Sequence, residues 1–133
     1  MGLTQVAASS LPSSPDGLAD RLAKAGDSTY IFFIVDNDAA TGQPWCPDVR
    51  AAIPVVDKYF AEHPDLSVSA VSVGSRPEWK DPTNSKVWRS TWGLGAVPTL
   101  VKYTRAENGI LQEQLVEGDA ANVRKLAAFT KSV

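Results

Sequence analysis

The chain has 133 residues, with 13 Lys and Arg against 15 Asp and Glu and a net charge of −2. That is the size of a single domain spanning 1–133 with one sizeable core, residues 1–15 being its least patterned part. The charges form no blocks, which leaves nucleic acid and anionic membranes no basic face to bind, and no apolar run approaches the roughly 18 residues that cross a bilayer. One cysteine and one histidine exclude an internal disulfide framework and a dedicated zinc site, so no metal is expected. A lone thiol fits a reducing compartment, and the expected location is cytoplasmic.

In chain order, Leu3–Ala7 is read as a short edge strand, followed by the turn-rich stretch 9–17. Leu18, Leu22 and Ala25 mark a short helix that Gly26 closes. The run Tyr30-Ile31-Phe32-Phe33-Ile34-Val35 is short, apolar and rich in β-branched and aromatic residues, the pattern of a central strand buried on both faces. After the loop Asp36–Pro44, apolar residues recur at helical spacing, Ala51, Val55 and Tyr59 beside Ala52, Val56 and Phe60. The predicted helix runs from about Cys46 to Glu62, and Pro64 ends it.

A strand over Leu66–Val73 leads to a loop over Gly74–Ser85 and a short helix over Lys86–Trp92. Gly93 and Gly95 break that helix before a strand over Ala96–Tyr103, which is entered through Pro98. Asn108-Gly109 signals a hairpin to a strand over Ile110–Val116. Asp119 is expected to cap a closing helix that carries Val123, Leu126, Ala127 and Phe129.

Cys46 stands where the buried strand gives way, through a polar loop, to the amphipathic helix. Pro47 suits the first helical position, where a missing N–H costs nothing. Free N–H groups and the helix dipole favour a thiolate there, while the Asp48 carboxylate opposes it. Trp88 and Trp92, four apart, are read as packing residues. His63 lies about 17 residues from Cys46 along one helix, roughly 25 Å, so the two cannot form a Cys–His hydrolase pair.

Strand, loop, Trp45-Cys46-Pro47 and helix together resemble the active-site segment of thioredoxin-fold proteins, and Pro54 falls where those proteins carry a kinking proline. Trp45-Cys46-Pro47-Asp48 is similar to the motif Trp-Cys-Pro-Asp-Cys of the small thioredoxin-related (thioredoxin domain-containing) family. Gly74-Ser75-Arg76-Pro77-Glu78-Trp79-Lys80-Asp81-Pro82 resembles a loop of the same family. The chain departs from the family at Val49, which replaces the second cysteine.

The resemblance implies an α/β thioredoxin fold, a central mixed β-sheet flanked by helices on both faces, in the order βαβαβαββα. It implies a catalytic Cys46, redox-tuning roles for Trp45, Pro47, Asp48 and position 49, and a substrate groove at Val97 and a cis Pro98. Trp79 is read there either as a groove residue or as a pin for its loop. The family's dithiol members reduce small disulfides with electrons from NADPH through thioredoxin reductase.

With Val49 in place, a mixed disulfide on Cys46 needs an external thiol, glutathione being the candidate, and no bound cofactor is expected. The expected partners are small disulfides and glutathionylated or disulfide-bearing proteins, with a Cys46-linked dimer under oxidation. The alternative is a redox-inactive binding module that kept the groove. Iron–sulfur binding across a dimer, as in monothiol glutaredoxins, ranks last, because their lysine before the cysteine has no counterpart in Thr41-Gly42-Gln43-Pro44.

Overall fold

The computed structural model describes residues 3–19, 22, 28–107 and 109–130. Five strands form one sheet: β1 (Thr4–Gln5), β2 (Ser28–Ile34), β3 (Val68–Ser72), β4 (Thr99–Ala106) and β5 (Gly109–Val116). Their spatial order is β1-β3-β2-β4-β5. The pairs β1–β3 and β2–β3 are parallel, and β2–β4 and β4–β5 antiparallel. Among the described residues the α-helices with both ends placed are α1 (Pro47–Ala61), α2 (Arg76–Lys80) and α3 (Val123–Thr130), and Ala19 and Leu22 are helical as well.

The apolar run predicts the centre of the sheet, and β2 is that centre, buried from Tyr30 through Ile34. Its side chains alternate between two covered faces. Tyr30 meets Phe60 of α1 at 5.4 Å and Phe129 of α3 at 6.2 Å. Phe33 meets Trp88 and Trp92 on the other face, at 5.8 and 5.9 Å. Burying each large apolar side chain is worth roughly 1.5–3 kcal/mol, against about 0.5–1.5 kcal/mol for the geometry of an aromatic pair. Burial therefore holds the layers together, and ring geometry selects how they seat.

Several elements differ from the expectations. The edge strand shrinks to Thr4–Gln5, and a 3-10 turn, Pro15–Leu18, leads into the expected first helix, of which Ala19 and the buried Leu22 are described. Ala25 and Gly26, the expected end of the first helix, lie outside the described residues, as does Asn108 of the hairpin signal. Ala106 pairs with Gly109 across that hairpin.

The expected loop Gly74–Ser85 contains α2, which a capping box starts: Glu78 N–H donates to Ser75 Oγ at 3.3 Å and Ser75 N–H to Glu78 Oε1 at 2.9 Å. The same bonds hold the Glu78 carboxyl below its ordinary range. The helix expected over Lys86–Trp92 is a π-helical turn, Val87–Thr91, with Trp92 N–H donating to Val87 O. β4 starts at Thr99, not Ala96, because Pro98 has no N–H to give to the ladder.

Asp119 is not the closing cap. Asn122 immediately precedes α3, and its Oδ1 accepts from the N–H groups of Arg124 and Lys125, at 3.0 and 3.1 Å. Asp119 instead pairs with Lys125 on the surface at 2.6 Å. Val123, carried by the closing helix as expected, is 60% exposed at its first position.

Candidate functional site

The loop Asp36–Pro44 folds back on itself before it delivers Cys46. Asn37 bridges Pro44, Asp38 N–H donates to Gln43 O at 2.7 Å, and Gly42 N–H donates to Asp38 O at 2.8 Å. Trp45 N–H then returns to Asp36 O at 3.3 Å. On the helix side, Arg50 Nη1 donates to Pro44 O at 2.7 Å, fastening the end of the loop to the first turns of α1.

Cys46 is the N-cap of α1, extended at φ −94° and ψ 122°, with Pro47 at the first helical position and Asp48 in the first turn. First-turn N–H groups have no intrahelical acceptor, so the half-buried sulfur sits beside a backbone that is short of acceptors. Its thiol donates to the Val97 carbonyl at 3.8 Å, a weak contact. The Val97–Pro98 peptide is cis. Both residues are buried, and the segment runs straight into β4.

Trp45 forms the neighbouring wall. Its indole N–H donates to Gly74 O at 3.1 Å, and that same carbonyl accepts from Asp36 N–H at 3.0 Å. Gly74 holds φ +113°, and a Cβ there would lie 3.0 Å from Glu78 Oε1, so only glycine fits both the backbone and the capping box.

The structure therefore brings Trp45, Cys46, Val97 and Pro98 together at the C-terminal edge of the sheet, with Pro47 and Asp48 exposed beside them. Val49 is fully buried in the core against the sheet. Trp79 is part of the buried core. It is 7% exposed, with the Arg89 guanidinium 3.9 Å over its ring and Arg89 Nη2 donating to its carbonyl at 3.3 Å. Arg89 and Trp79 both lie between β3 and β4, so their contact braces that segment internally, while Trp79 itself belongs to the buried core.

Sequence reasoning missed Arg50, which sits at helical spacing beyond Cys46 but whose partner in the loop no pattern reveals. It also missed the double acceptor at Gly74. His63 is held at the far end of α1, its Nδ1 2.7 Å from Tyr59 O and its ring stacked on Tyr59. Among the described residues the buried polar side chains are Ser85, Thr99 and Thr130, so no carboxylate or histidine is buried beneath the sulfur. No group of three or more His, Cys, Asp and Glu that could hold a metal ion occurs among them either. A cleft of about 640 Å³ opens on the other side of the loop, between Gln5, Asp36, Gln43 and Ile53, without reaching Cys46. What the site offers chemically is one half-buried thiol beside the Val97 carbonyl.

A mixed sheet clad in helices on both faces, with a Trp-Cys-Pro helix start against a Val–Pro turn, defines a thioredoxin-fold protein of redox type. The sequence model described as thioredoxin domain-containing protein 17-like, thioredoxin domain, matches residues 15–124. The chain belongs to that family. It is 39% identical over 104 residues to a thioredoxin domain-containing protein of Schizosaccharomyces pombe, spanning 77% of this chain and 82% of that protein. It is 37% identical over 97 residues to thioredoxin domain-containing protein 17 of Homo sapiens, spanning 69% and 76%. Among solved structures, Trichomonas vaginalis thioredoxin superposes with a TM-score of 0.60 at 16% identity, covering 96% of this chain and 94% of that one. Spinach chloroplast thioredoxin f superposes at 0.57 and 18%, covering 96% and 82%.

Proposed function

We propose that the protein is a monothiol thiol–disulfide exchanger acting through Cys46 in a reducing, cytosolic setting. The observation that carries this reading is the placement of a half-exposed sulfur at the start of α1, within 3.8 Å of the Val97 carbonyl. The Cys46 thiolate attacks one sulfur of a disulfide. The S–S bond breaks as a new one forms, and the departing thiolate takes up a proton.

Val49 cannot resolve the mixed disulfide, so a second, external thiol does. It attacks the mixed disulfide, leaves in a new disulfide and returns Cys46 as thiolate. Glutathione has the chemistry and the cytosolic abundance for this step. Small disulfides and glutathionylated proteins suit a thiol that is half-exposed at the start of α1. On this reading thioredoxin reductase has no internal disulfide to reduce.

The complete burial of Val49 supports a second reading. A site whose second cysteine position has become core is one step from a binding module that uses the groove without turnover. Intact mass after incubation with glutathione disulfide, with and without excess reduced glutathione, decides between them. An adduct that forms on Cys46 and is removed by reduced glutathione supports exchange. A Cys46 that reacts only after denaturation defeats it and leaves the binding module.

A further inference from the structure

Val116 at the end of β5 pairs with Thr99, so Glu117 stands across from Pro98, and its N–H donates to the Pro98 carbonyl at 2.7 Å. Val97, the residue before Pro98, supplies the carbonyl beside Cys46 Sγ. Glu117 is therefore the residue of β5's exit nearest in register to the reacting edge. It is exposed and holds φ +52°, the one non-glycine residue of positive φ among the described residues.

A side chain in that conformation crowds its own backbone, which glycine does not, and Gly118 follows directly. Packing does not account for the side chain, because it is exposed. Structural bonding does not account for it either, because its carboxylate makes no hydrogen bond or ion pair among the described residues. Asp48, two residues after Cys46, is exposed in the first turn of α1. The nearest cation on that helix, Arg50, donates to the Pro44 carbonyl on the loop side.

Resting on the exchange reading of Cys46, we infer that Glu117 is a specificity-determining residue. It selects disulfides whose cysteine is flanked by lysine or arginine and disfavours those flanked by carboxylates. The Glu117 backbone is bonded to Pro98, next to the residue whose carbonyl meets Cys46 Sγ, so an exposed charge at position 117 acts on the residues that flank an incoming disulfide. The exchange is balanced by the substrate alone: its S–S bond breaks, the Cys46–substrate bond forms, and the other thiolate leaves. Charges separated by water interact weakly and are screened by salt, so the selection is severalfold and fades as salt rises.

The test uses cysteine peptides activated as 2-thiopyridyl disulfides and flanked by lysines, serines or glutamates, with release of the thiopyridone read as a second-order rate on the reduced full chain. The expected order is lysine, serine, glutamate, spanning about fivefold at low salt. Glu117→Gln, which keeps the backbone demand and removes the charge, compresses the series to about twofold, and Glu117→Lys inverts it. A wild-type chain that treats all the peptides alike, or a Glu117→Gln chain that keeps the full spread, overturns the inference. Should the folded chain react with none of them while the urea-unfolded chain reacts with all, the exchange reading itself falls.

Discussion

At its C-terminal end α1 is fastened by side chains. Tyr59 bonds through its hydroxyl to Thr130 of α3 at 2.5 Å, Phe60 meets Tyr30 of β2, and His63 stacks on Tyr59 at 4.1 Å. At its N-terminal end Val49 is buried too, but around it the fastenings are backbone carbonyls and one arginine, with Pro47, Asp48 and Arg50 exposed and Cys46 half-buried. Both ends belong to one helix, so the contrast comes from what each end meets. The packed end carries stability, and the end that meets a polar loop leaves a sulfur reachable.

Substitutions at the two ends should separate those roles. Cys46→Ser is expected to abolish the glutathione adduct in intact-mass measurements while shifting urea unfolding by no more than about 0.5 kcal/mol. Phe60→Ala should do the reverse, losing about 3–5 kcal/mol from a cavity beneath Tyr30, with the folded fraction still forming the adduct. Equal loss of stability from both would erase the contrast.

Val49→Cys tests the boundary between the two regimes, one turn from Cys46. It is expected to form an internal disulfide under mild oxidant, seen as loss of free thiol without a mass adduct, and to let NADPH and thioredoxin reductase turn over cystine. A variant that keeps two free thiols under oxidant would mean that the buried site holds the second sulfur away from the first.

The packed end should also respond to alkali. Burial, aided by the neighbouring Tyr59, pushes the Tyr30 hydroxyl up to about 12. Burial likewise raises Tyr103, which is enclosed beside Trp92. A proton held more tightly in the folded state stabilises fully below the unfolded tyrosine range near 10, and the gain is lost as pH rises through the folded value. Denaturation midpoints should therefore decline from about pH 10 towards 12. Tyr30→Phe should flatten part of that slope, and an unchanged slope would remove Tyr30 from the account. The smallest effect is expected from Arg50→Gln, which gives up one exposed bond to Pro44, worth about 0.5–1 kcal/mol at most. Iodoacetamide labelling of Cys46 should then change by no more than about twofold.

The parts of the fold carried by burial were legible. An unbroken apolar run had to be a doubly covered strand, and helical spacing after Cys46 had to be an amphipathic helix. Short elements were not, because few residues give little periodicity. α2 escaped notice although Ser75 and Glu78 spell its capping box, and at the closing helix Asp119 was read as the cap that Asn122 supplies, three residues nearer the helix. At the site, the helix start marked Cys46, and local chemistry marked Pro47 and Asp48. Val97, Pro98 and Trp79 came through family resemblance. Arg50 reaching Pro44 and Trp45 reaching Gly74 are contacts between separated segments, which no single-sequence pattern records. Glu117 ran against its signal, since a Glu-Gly pair would ordinarily place the left-handed residue on the glycine.

The groove's dimensions are set from a distance. Trp45 hangs from the residue where β3 gives out, Cys46 faces the turn that opens β4, and Pro98 is tied to the residue that closes β5. Three strand ends act as a jig, each fixing one wall. A core substitution beneath β3 or a slip in the pairing of β5 would re-gauge the gap over the sulfur without touching any residue that lines it. Variation in reactivity among relatives of this chain can thus be written in the hidden faces of the sheet as readily as in the motif itself.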